Sequence, residues 1–290
     1  MFAHIGMNQA PSLPANLSAH CQIDSCATVS AHLSEFPTLA REKYAHGSHS
    51  LPTRFLRHAD EQTVIGVRSL LKAMASDTQK NIDISNDAVI AATCLAGQPA
   101  AARTMIGLRD KGPVGVTPHI VPQCSLHSVA SAASVGFGMH GPNFGVGGGT
   151  HCVSEGLLLS VTLAPMLATT SPTARIWLIC TGWDQQPSLG TNGEATNDPL
   201  CRGLTLLLRP TLAHSVDTMC PHIHVASQQD FHSHIHHPID TPLRQFCERF
   251  ENGDSTTVAV SNSCAIKILP PIPSQDARRP NKTVAQKGAA

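Results

Sequence analysis

Thr150, His151 and Cys152 follow three consecutive glycines, Gly147 to Gly149, and so place a hydroxyl, an imidazole and a thiol in consecutive positions. A thiol or hydroxyl becomes a nucleophile when its proton is removed, and a neighbouring base matters more for the hydroxyl than for the thiol. The flanking residues suit that chemistry. His140-Gly141-Pro142-Asn143 is a turn signal, because proline fixes its own φ and disfavours helix at the residue before it. Phe144-Gly145-Val146 reads as a short buried strand, the glycines let the backbone bend without a Cβ penalty, and Gly156 to Leu167 is a mostly apolar helical stretch with Pro165 as a possible kink. Strand, tight turn and helix in this order form a nucleophile elbow, which presents a side chain at the positive end of a helix.

Other segments must position such an elbow. Phe2 to Met7 reads as a strand with a proline-rich turn at 10–14, and residues 15 to 50, rich in Ser, His and Ala, read as a surface helix-and-loop segment. Val64, Val67, Leu70, Leu71 and Met74 share one helix face, preceded by Arg54 and Arg57, which can be solvated or can hold a partner's carboxylates. Asp87 to Thr93 is a continuous apolar run, as a strand buried on both faces requires. Ala100 to Lys111 reads as a helix that Gly112-Pro113 ends, and Val114 to Val121 as loop. Ser125 to Gly138 carries little bulk. Ala174 to Cys180 and Gly203 to Arg209 read as strands, with a loop over 185–199, then a helix over 238–250, a strand over 256–260 and a disordered tail over 270–290. Strands alternating with helices predict an α/β sheet covered on both faces.

The chain has 290 residues with 20 basic and 20 acidic side chains, so its zero formal charge argues against a nucleic-acid partner. Ten cysteines occur without a CxxC pair, several inside apolar runs, which favours buried reduced thiols and a cytoplasmic protein. No signal peptide is read at the N-terminus, and no membrane span is expected. Gly136 to Gly141 fits GxGxxG, but Pro142 follows and no buried strand precedes it, so nucleotide binding is not expected. No cofactor is predicted. His232, His234 and His236 alternate, which allows either an adventitious metal site or a polar surface loop; no resident metal is predicted.

The stretch from Cys124 to Leu167 resembles the N-terminal half of a β-ketoacyl synthase of the thiolase-like superfamily. Closer still is its similarity to short ketosynthase-like N-terminal-domain proteins and to chain-length factors, through Ser125-Leu126-His127-Ser128-Val129-Ala130 before the turn and Gly156-Leu157-Leu158 after it. The resemblance implies a thiolase-like layered fold: one ketosynthase N-terminal-type half over 1–209, then a short remnant, a His-rich extension over 210–269 packing on it. In that family a Gly-Pro turn leads to a catalytic cysteine eight positions after the proline. Counting from Pro142 reaches Thr150, with Cys152 two positions beyond. The family's two catalytic histidines come from a second half whose motifs are not found in 200–290.

The resemblance therefore implies a non-condensing, chain-length-factor-like protein of fatty-acid or polyketide-type acyl-chain assembly. Its implied partners are an acyl carrier protein and a second ketosynthase-like chain, as homodimer or as heterodimer with an active ketosynthase, joined through residues 124–146. His127, Ser128, Phe144 and Gly149 are the candidate acyl-pocket or interface residues. Two alternatives stand beside this reading: an active acyltransferase using Cys152 or Thr150, with His151 adjacent in sequence, and a structural protein without an acyl ligand.

Overall fold

The computed structural model describes residues 20–46, 49–52, 54–77, 82–211, 221–227, 243–252, 256–261 and 264–269. The strand and turn expected over 2–14, the histidines at 232–237 and the tail at 270–290 lie outside the described residues. The strands are β1 (His20–His32), β2 (Ala45–His46), β3 (His49–Ser50), β4 (Ala88–Cys94), β5 (Asn143–Gly148), β6 (Ile176–Trp183), β7 (Leu200–Thr211), β8 (His222–Ser227), β9 (Thr256–Ser261) and β10 (Cys264–Leu269). The helices are α1 (Phe36–Leu39), α2 (Glu61–Ser76), α3 (Gln98–Lys111), α4 (Ile120–Gln123), α5 (Ser128–Phe137), α6 (Cys152–Thr170) and α7 (Leu243–Glu251).

Eight strands form one mixed sheet in the order β5-β4-β6-β7-β1-β8-β10-β9. β4 pairs in parallel with both β5 and β6, and the remaining ladders are antiparallel. β4 and β6 bury both faces, which is why their sequences are unbroken apolar runs. On one face Ala88, Ile90, Ala92, Ile176, Leu178, Cys180, Leu204, Leu206 and Leu208 meet Leu157, Val161, Ala164 and Leu167 of α6 and Phe246 of α7. On the other, Val89, Ala91, Trp177, Ile179 and Leu207 meet Leu70, Ala73 and Met74 of α2 and Val129, Ala130 and Ala133 of α5. The sheet thus has helices on both faces. Leu33, Phe36, Tyr44, Leu51 and Leu56 pack with Val64, Val67 and Leu71 of α2 in a further cluster. The C-terminal strands continue the same sheet, with Ile223 opposite Cys21, and Ile266 and Ile268 join the same core.

The expectation of surface helix and loop over 15–50 is corrected by β1, a 13-residue strand inside the sheet. Its alternation is carried by Cys21, Ile23, Ser25, Ala27 and Ala31, of which Ile23 alone is a large apolar side chain, so no apolar period registers in the sequence. A bulge displaces the register between Ile23 and Ser25, opposite Leu208 and Leu207. An extra residue reverses which face the following side chains occupy. Cys21 and Ile23 accordingly lie on the α6 side, while Ala27 lies on the α2 side and Ser25 donates to the Ala73 carbonyl of α2 at 2.8 Å.

α6 has 19 residues and is apolar enough to cross a membrane by length and composition alone. It packs along the sheet instead, with Cys152, Val153, Gly156, Leu157, Val161, Ala164 and Leu167 buried, and it continues through Pro165.

Candidate functional site: the strand–helix elbow

β5 ends at Gly148 and α6 begins at Cys152, so Gly149, Thr150 and His151 form the junction that the sequence predicts. Gly147 has φ +93, and a Cβ there would lie 2.6 Å from that of Cys152. Glycine is needed here both for the left-handed backbone and for the room that lets Cys152 fold under the strand. Gly145 serves a second close approach, since a Cβ would come within 2.2 Å of the Leu126 carbonyl oxygen. The 126–127 backbone is thereby laid against β5.

The three candidate catalytic residues separate in space. Gly149, Thr150 and His151 are exposed. His151 occupies the N-cap of α6 without a side-chain cap bond, and neither Thr150 nor His151 makes a side-chain hydrogen bond among the described residues. Cys152 turns inward and is 1% exposed, in the core with Cys180 and against Cys94. Its hydrogen bond with Cys94 and its burial hold the thiol far above the ordinary cysteine range, although a helix N-terminus alone would lower it. Burial also raises Cys180, and it pushes Cys21 up to about 12.

His127 and Ser128 open α5 and line a cavity of about 450 Å³ together with Phe55, Leu56, His119 and Val121. Phe144 and Gly149 do not line it; Phe144 is 39% exposed on β5, the terminal strand of the sheet. The four candidate pocket or interface residues therefore divide between a cavity at the start of α5 and the sheet edge with its elbow. The GxGxxG segment falls at the C-terminal end of α5, where Gly138 caps the helix with φ +67. A dinucleotide fingerprint needs a helix beginning there.

Three features escape the sequence reading. Asp60 caps α2, its carboxylate accepting from the Thr63 N–H at 3.2 Å and from the Thr63 hydroxyl, which also meets the Ser128 hydroxyl at 3.1 Å. An Asp four positions before the apolar period of α2 is a legible N-cap signal. His58 and His119 stack with ring centroids 4.4 Å apart, and Arg41 joins Arg54 and Arg57 around a recess of about 530 Å³. Neither grouping has a local sequence pattern.

No protein-family model matches the sequence, and no curated protein does either. Among solved structures, a ketosynthase (ApeO) in complex with its chain length factor (ApeC) from Xenorhabdus doucetiae matches with a TM-score of 0.52 and 12% identity, over 86% of this chain and 99% of that chain. The fold is thiolase-like. Two further matches, the ishigamide ketosynthase/chain length factor (TM-score 0.44, 16% identity, 72% of this chain and 68% of that one) and a β-ketoacyl synthase from Burkholderia phymatum STM815 (0.45, 13%, 76% and 66%), are weaker in shape. This fold provides the sheet edge at β5 and the elbow at its end.

Proposed function

We propose that this chain is a soluble, cytoplasmic, non-condensing relative of the ketosynthases, which acts like a chain-length factor beside an active β-ketoacyl-ACP synthase in fatty-acid or polyketide-type chain assembly. The observation that carries this reading is an elbow that presents no activated nucleophile. Thr150 is exposed there, but a hydroxyl requires an adjacent base and no side chain among the described residues bonds to it. Cys152 is buried and its thiol is held protonated. Residues 1–209 would carry the ketosynthase-like part and 210–269 its extension.

The partner surface in this reading is the β5 edge. Its outer backbone groups are unpaired within the sheet, and Phe144, Leu126 and Val135 expose apolar side chains on β5 and the segment before it. An open edge strand is a template for pairing with another chain, here a second ketosynthase-like subunit, either a copy of this chain or the active synthase. The acyl carrier protein would use the recess lined by Arg41, Arg54 and Arg57. None of these arginines has a carboxylate partner among the described residues, so a partner's carboxylates can occupy them without breaking an ion pair.

The exposure of Thr150 at the start of α6 supports a second reading, an acyltransferase whose base is supplied by a partner. Intact-protein mass spectrometry after incubation with acyl-carrier thioesters, alone and with a ketosynthase, separates the two. The expected result is no adduct on this chain and altered product length when it accompanies the synthase. An acyl adduct that disappears in Thr150→Ala or Cys152→Ala would overturn the non-condensing reading.

A further inference from the structure

The cavity at the start of α5 is lined by a buried carboxylate that has hydrogen bonds but no counter-cation among the described residues. Asp60 is 4% exposed and lines the cavity. Its carboxylate accepts from the N–H and hydroxyl of Thr63 and from the Gln62 N–H, and no ion pair among the described residues includes it. The helix N-terminus it caps supplies a partial positive charge. Burial nonetheless outweighs that cap and raises the carboxyl to about 6. Buried carboxylates are ordinarily paired, because desolvation costs several kcal/mol per ion.

The walls define what would complete the pair. Phe55, Leu56, Ala59, Val121, Pro122 and Ala132 are apolar, suited to a hydrocarbon stem. The stacked His58 and His119 and the Phe55 ring offer flat faces, and the Ser125, Ser128 and Ser131 hydroxyls offer acceptors. A volume of about 450 Å³ lies within the range of small-molecule sites.

We propose that this cavity binds an organic cation, an ammonium or guanidinium on a short apolar stem, with Asp60 as its counter-charge. The site is separate from the elbow, and only the assignment of its ligand to a partner's side chain rests on the partner reading given above. The same chemistry has two sources, a free amine or guanidine and a Lys or Arg side chain from a partner chain.

Titration calorimetry and NMR with n-butylammonium and n-butylguanidinium test the site, with n-pentanol as the neutral control. Both cations should bind and pentanol should bind at least tenfold more weakly. Asp60→Asn keeps an N-cap residue and should lower cation affinity at least tenfold with the fold retained by circular dichroism. Ala132→Phe, which fills the cavity without touching the charge, should abolish binding of all three. Equal affinity for cation and alcohol, or unchanged cation affinity in Asp60→Asn, would overturn the proposal. Should n-butylguanidinium also dissociate this chain from a ketosynthase, the source is a partner's side chain; binding that leaves the assembly intact assigns a free amine.

Discussion

Gly147 and Asp60 show how single residues set two separate sites, the elbow and the cavity at the start of α5. At Gly147, φ is +93 and an added Cβ would lie 2.6 Å from the Cys152 Cβ. Gly147→Ala should therefore cost roughly 2–4 kcal/mol, combining left-handed strain with overpacking, and a urea titration would reveal it as a lowered midpoint at unchanged slope. Asp60 makes a prediction of opposite kind. Its folded carboxyl titrates at about 6 against 3.8 for the free side chain. Between about pH 4 and 6 the folded chain keeps a proton that the unfolded chain has released, so stability from this group falls as pH rises and stays lower above 6. The difference corresponds to up to about 3 kcal/mol. Urea midpoints of the protein and of Asp60→Asn, taken from pH 4 to 7, should converge or cross as the pH rises, whereas a pH-independent gap between them would contradict the assignment.

Among the elements, β5 bears on association and β1 on folding. β5 is six residues long, includes three glycines and pairs on one side only. Phe144 is the large apolar side chain it exposes. Phe144→Lys, a substitution that edge strands use against pairing, should weaken subunit association at least tenfold in analytical ultracentrifugation while shifting Tm by no more than a few degrees. In β1, the bulge after Ile23 moves the strand's inward residues from the α6 face to the α2 face. Arg209 pairs with Asp24 at 2.7 Å at that point, which fastens the irregular residue to β7.

At the scale of the whole molecule, one buried network joins elements distant in sequence. Arg175, 3% exposed, pairs with Asp77 at the end of α2 (2.6 Å) and with Asp87 before β4 (3.2 Å), and Trp177 donates its indole N–H to Asp87 at 2.8 Å. Removing one partner leaves buried charge uncompensated, typically at a cost of about 3–5 kcal/mol. Arg175→Ala should accordingly lower Tm by on the order of 10 °C in calorimetry, more than Arg244→Ala, whose partner Glu248 is an exposed i,i+4 neighbour.

The sequence by itself determined the elements whose burial is written as a local pattern. Apolar runs specified β4, β6 and β7; a 3.6-residue period specified α2; Gly-Pro and the glycine cluster specified the elbow between β5 and α6. It also placed Thr150 and Cys152 at different positions along that elbow. Only the tertiary structure decided which of them faces solvent, because that depends on Cys152 finding Cys94 and Cys180 from two separate strands. β1 was illegible for a related reason: Cys, Ser and Ala become core residues only when β7 and β8 lie beside them. The Asp60 cavity likewise assembles side chains from segments dozens of residues apart, and the arginine recess joins Arg41 to Arg54 and Arg57 across a loop; spacing along a chain carries no information about such meetings.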